Sequence, residues 1–108
     1  MVERKITQTI RRFVREAKSA GIHVERAFLY GSYAKGTAGV DSDIDLAVIA
    51  PEFDHKGSRA WIRKLWALRA TTDERIEPLA VGRTQWLEDQ GSPIIEIVRR
   101  EGISIPLR

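Results

Sequence analysis

The sequence contains no cysteine. That absence removes disulfides, thiolate nucleophiles and cysteine-ligated zinc together, and it fits a reducing compartment. No apolar run approaches the ~20 residues that span a bilayer, so no membrane partner is expected. No secretory leader pattern opens the chain, and a cytoplasmic location is expected. Internal repeats, low-complexity tracts and linker-like segments are also missing. What remains is 108 residues, 43% hydrophobic and 31% charged with the signs mixed. That is the composition of one folded domain, 1–108, with a real but thin core.

The formal charge of +3 and the isoelectric point near 9.6 suit a polyanionic ligand such as a nucleotide, RNA or an acidic partner. However, Arg4, Lys5, Arg11, Arg12 and Arg15 alternate along the chain with acidic and apolar residues. A nucleic-acid binder is expected to gather its cations and interleave aromatics. A nucleic-acid partner is therefore not expected.

Val2, Ile6, Ile10, Phe13, Val14 and Ala17 recur at helical spacing, which predicts a helix over 2–19 that stops at Gly21. Residues 23–30 turn β-like and run straight into Gly31, with one helical turn expected after Ser32. Ile44, Leu46, Ala47, Val48 and Ile49 read as a short buried strand closed by Pro51. Ser58 is placed to cap a helix over 58–70. Arg75 to Val81 reads as a third strand, and Pro78 within it points to an edge or a bulge. A short helix over 84–89 follows. Another opens at Ser92-Pro93, runs to Arg100 and stops at Gly102, before a last strand over 103–107. This order predicts an α/β (α+β) fold, a small mixed β-sheet flanked by helices. Trp61 and Trp66 lie five residues apart on one helix and so on different sides of it: either both pack in the core, or one does and the other is exposed and available for a contact. Trp86 carries the same two readings. His23 and His55 are isolated and take no catalytic role.

The chemistry concentrates between Gly31 and Asp45. A strand ending in Gly31-Ser32 and followed by a helical turn aims free N–H groups at one point, where glycine lets a phosphate approach. Asp43 and Asp45, two apart at the head of a strand, send their carboxylates to one face ~7 Å apart. Such a pair can share a hard cation such as Mg2+, with water and phosphate oxygens completing its shell. Glu77, a polar residue in an otherwise apolar strand, is the candidate third carboxylate for phosphoryl or nucleotidyl transfer.

Three rival motifs touch the same residues. Gly31 and Gly36 have P-loop spacing, but Thr37 and Ala38 stand where Lys and Ser/Thr are needed. Asp41, Asp43, Asp45 and Glu52 match four acidic positions of an EF-hand loop, yet Leu46 replaces its turn glycine and begins an apolar strand. The Asp-X-Asp pair alone also occurs in sugar-nucleotide transferases, for which the chain is short.

Gly31-Ser32, Ala34, Gly36, Ser42-Asp43 and Asp45 together resemble the signature of the DNA polymerase β-like nucleotidyltransferase superfamily. Over nearly the whole chain the pattern is similar to the minimal nucleotidyltransferases, or MNT antitoxins. The resemblance implies a nucleotidyltransferase fold, with Gly31, Ser32, Lys35 and Ser42 toward the nucleotide. It also implies Asp43, Asp45 and Glu77 as catalytic residues and Mg2+ ligands, with ATP as substrate. Where Glu77 stands the family more commonly has Asp, which sets this carboxylate one methylene further out. The implied partner is a HEPN-type toxin, neutralised by AMP transfer onto a tyrosine, by binding alone, or by both. The acceptor surface must then come from another chain or from a homo-oligomer.

Overall fold

The computed structural model describes residues 2–107. Helix α1 (Arg4–Ser19) leads into β1 (Arg26–Tyr30), a single turn α2 (Ser32–Lys35) and β2 (Ile44–Ile49). Helix α3 (Ser58–Ala67), β3 (Ile76–Val81), α4 (Arg83–Glu88), α5 (Pro93–Glu101) and β4 (Ile103–Ser104) complete the fold. The sheet has the order β3-β2-β1-β4; β2 runs parallel to β3, and β1 runs antiparallel to β2 and β4.

Strand β2 is central and covered on both sides, which is why its sequence is an almost unbroken apolar run. Ile44, Leu46 and Val48 point to one face, where Ala27, Leu29 and Ile76 join them under α1 and α3. Ile6, Ile10, Phe13, Val14 and Ala17 of α1 seal that layer. Each of the larger side chains among them contributes ~1.5–3 kcal/mol by leaving water. On the opposite face Phe28, Ala47, Ile49 and Val81 pack against Ile95 and Val98 of α5. Phe28 also meets the Trp86 ring, centroids 4.8 Å apart.

Pro78 lies on an edge strand, paired opposite Leu46, as a residue without an N–H requires. Three expectations need correction. The helix predicted over 58–70 is α-helical only to Ala67 and tightens into a 3-10 turn over Leu68–Thr71. Gly57, not Ser58, holds its N-cap, with no side-chain cap. The last strand pairs only at Ile103 and Ser104, although Ile105 N–H still reaches the Ala27 carbonyl at 2.9 Å. Pro106 has no N–H with which to extend the ladder. Of the tryptophans, Trp66 is exposed while Trp61 and Trp86 are partly buried.

Candidate active site

The second sheet face is apolar where α5 covers it and polar at one end. There the antiparallel register sets Tyr30 opposite Asp45, and the parallel register sets Asp45 opposite Glu77. Directly opposed residues share a face, so the three side chains form one row across β1, β2 and β3. All three are partly exposed, in contrast to the buried residues that follow them along β2. Asp43 stands just before β2 and is exposed; the strand period carries it to the same side as Asp45.

Gly31 joins this row to α2. Its φ is +76°, a left-handed conformation that glycine adopts without the steric cost of a Cβ. A Cβ at this position would overlap the Asp45 carboxylate and lie 3.3 Å from Asp45 Cβ. The Gly31 carbonyl accepts the Ala34 and Lys35 N–H groups, each at 3.1 Å, and so closes the turn. At the start of that turn the N–H groups of Ser32 and Tyr33 have no acceptor within it. The glycine-serine turn and Asp45 are thus in direct contact.

The electrostatics follow from this crowding. Burial, then the Asp43 charge, push the Asp45 carboxyl above its usual range. Burial, then Asp45 and Glu77, push the Tyr30 phenol up to about 12. None of Asp43, Asp45 and Glu77 forms an ion pair among the described residues. Also among the described residues, no three His, Asp or Glu side chains are gathered tightly enough to hold an ion as they stand. The donor set nevertheless fits Mg2+: unpaired hard carboxylate oxygens, one of them held at a raised pKa by burial and a like charge.

Other expected residues have protein partners. Lys35 Nζ lies 3.4 Å from Glu101 Oε1, tying α2 to the end of α5 rather than leaving the ammonium unpaired. Ser42 Oγ accepts the Gly39 N–H at 2.8 Å and pins the loop before Asp43. Ser32 stands first in α2, beside the row.

Two features lie beyond the sequence reading. Tyr30 is one; its place beside Asp45 depends on the β1–β2 register, which the intervening loop hides. The other is Arg75, whose guanidinium donates to Asp73 at 3.1 and 2.8 Å and to Tyr33 Oη at 3.3 Å. The Arg75 carbonyl accepts the Ile44 N–H at 2.8 Å. One residue therefore links α2 to the first residues of β2 and β3. Only the polar break before Ile76 hints at this in the sequence.

A small mixed sheet with a glycine-serine turn against an acidic row is the architecture of a nucleotide-handling transferase domain. The chain belongs to the nucleotidyltransferase domain family, whose model matches residues 8–104. Two solved structures share the fold. A toxin–antitoxin structure with AMP-PNP aligns with TM-score 0.63 and 22% identity, over 93% of this chain and 72% of its own. A proposed nucleotidyltransferase from Sulfolobus solfataricus aligns with TM-score 0.62 and 12% identity, over 93% of this chain and 78% of its own. Among curated protein sequences none matches this chain.

Proposed function

We propose that this chain is a magnesium-dependent adenylyltransferase that moves AMP from ATP to a hydroxyl. The acceptor is a tyrosine of a HEPN-type toxin for which the chain is the antitoxin. The observation that carries this reading is the contact of Gly31 with Asp45, in register with Glu77. In the proposed reaction the acceptor oxygen bonds to the α-phosphorus, the bond from that phosphorus to the bridging oxygen breaks, and pyrophosphate leaves. A divalent cation, when bound, supplies charge neutralisation for the phosphates. Asp43 and Asp45 would hold it, and Glu77 would complete the carboxylate set. Glu77 also takes the acceptor hydroxyl's proton, and Gly31 and Ser32 orient the phosphates through backbone N–H groups. Ser42 and Lys35 line the loop on either side.

Support for an adenine nucleotide and a toxin partner comes from the toxin–antitoxin relative, solved with AMP-PNP. The test is transfer of label from α-labelled ATP onto the protein encoded beside this chain, with and without Mg2+. Transfer that is lost in Asp43→Asn is the expected result; identical labelling with that variant would sink the proposal. Glu77, in place of the commoner Asp, favours a second reading in which binding alone neutralises the partner. In that case an Asp43→Asn/Asp45→Asn variant neutralises at the same dose as the native chain.

A further inference from the structure

The charge of this molecule is unevenly divided. Residues 3–20 and 58–71, which hold α1, α3 and the turn after it, contain ten of the 18 Lys and Arg residues. They contain only two of the 15 Asp and Glu residues. This layer therefore carries +8 and the rest of the chain −5. Read linearly, the cations of α1 alternate with acidic and apolar residues. On the helix, Arg4, Arg11 and Arg15 fall on one outward line, away from buried Ile6, Ile10, Phe13 and Val14. On α3, Arg59, Arg63 and Trp66 form a second outward line.

The two helices are neighbours, with the two lines on the outer flanks of the layer. Lys64 Nζ donates to the Ala20 carbonyl at 3.1 Å, and Arg12 donates to the Thr71 carbonyl at 2.9 Å. None of the ten cations forms an ion pair among the described residues. Trp66 is 39% exposed, and the Arg69 guanidinium lies 4.9 Å from its ring centroid. An indole open on one side and flanked by a guanidinium is a platform for a stacked base.

We infer that the α1/α3 face is a binding surface for single-stranded RNA, with phosphates along the arginine lines and a base on Trp66. It lies across the sheet from Asp45 and Glu77, so it holds RNA without presenting it to the acidic row. Composition separates RNA from the other polyanion sources. A protein interface concentrates apolar residues at its centre and depletes charge there. A membrane-bound helix offers an apolar face to lipid. Here the apolar faces of both helices are in the core, leaving an indole with one guanidinium over its ring, Glu74 at the edge of the same cavity, and the outward arginines along the helices.

The test measures anisotropy of a fluorescein-labelled, mixed-sequence RNA 20-mer with the full chain. Binding is expected to weaken with salt at a log–log slope of about −3, for roughly four to five phosphates neutralised. Arg11→Gln/Arg15→Gln/Arg63→Gln should lose at least tenfold in affinity with an unchanged circular dichroism spectrum. Trp66→Ala should lose roughly tenfold and Trp66→Phe much less. Asp43→Asn/Asp45→Asn should bind RNA as the native chain does, which separates this inference from the transferase reading. No binding at about 50 mM salt, where the Debye length still exceeds roughly 10 Å, overturns it, and so does loss of binding in the aspartate variant. Equal affinity for polyglutamate or anionic vesicles, with Trp66→Ala unchanged, also overturns it and assigns the face to an acidic protein or a membrane.

Discussion

The Asp45 carboxylate occupies the space that a side chain at Gly31 would need. Gly31→Ala must therefore displace the acid and also hold alanine at a φ of +76°. With ψ at −151° this is a region essentially confined to glycine, and the strain alone costs about 1–3 kcal/mol. The expected outcome is a lower melting temperature, with loss of any thermal shift from ATP and Mg2+. A variant that melts like the native chain and keeps that shift would show that the contact does not matter.

Asp45 carries a pH signature. Its folded pKa is raised by burial and then by Asp43, so the folded state favours the protonated form. The stability this gives is full below the unfolded carboxylate range and is lost as pH rises through the folded pKa. Glu25, Glu52, Asp73 and Glu101 are shifted the opposite way and raise stability over the same range. Chemical denaturation should therefore show the decline as a fall in the stability of native protein relative to Asp45→Asn as pH rises. Millimolar Mg2+ should reduce it in the native chain only. A decline of equal size in both proteins would remove Asp45 as its source.

Tyr30 and Tyr33 are the two tyrosines of the chain. The Tyr30 phenol is pushed up to about 12 by burial and by Asp45 and Glu77. Ultraviolet titration should show one phenolate appearing only near pH 12. The raised pKa keeps the neutral form favoured, so Tyr30 contributes stability below the ordinary phenol range, about 10. That contribution fades as pH climbs toward 12. In Asp45→Asn/Glu77→Gln the late phenolate should appear earlier; an unmoved titration would mean that the two acids do not act on it.

Asp54 crosses from the turn after β2 to cap α4. Its Oδ2 accepts the Thr84 N–H at 2.9 Å and its Oδ1 the Gln85 N–H at 3.4 Å. Asp54→Ala should cost about 1 kcal/mol, the usual loss for a helix cap. Urea denaturation would check this, with Asp41→Ala as a control: Asp41 is exposed and not within an element. Equal midpoints for the two variants would refute the capping role.

Local chemistry made much of the fold legible. The apolar run of β2 announces burial on both faces, Pro78 announces an edge, and Ser92-Pro93 marks the N-terminus of α5. The geometry of the candidate site was legible where it is contiguous: the glycine-serine turn marks Gly31-Ser32, and strand alternation places Asp43 on the side of Asp45. It was not legible where distant strands decide. Tyr30 meets Asp45 only through the β1–β2 register. Lys35 finds Glu101 from the far end of the chain, and Arg75 reaches Tyr33 across the start of the sheet. The basic layer was hidden in a similar way, since two helices far apart in sequence had to be laid side by side.

The sheet of this protein works as a partition between opposite electrostatic poles. A bare nucleotide diffusing toward it is attracted to the helical side and meets like charge where Asp43, Asp45 and Glu77 stand. Only an anion already screened by a counter-cation can approach the acidic side downhill. If the acidic row takes a nucleotide as proposed, its encounter rate at limiting nucleotide should consequently track the supply of divalent ions, and the molecule as a whole should orient in an applied field.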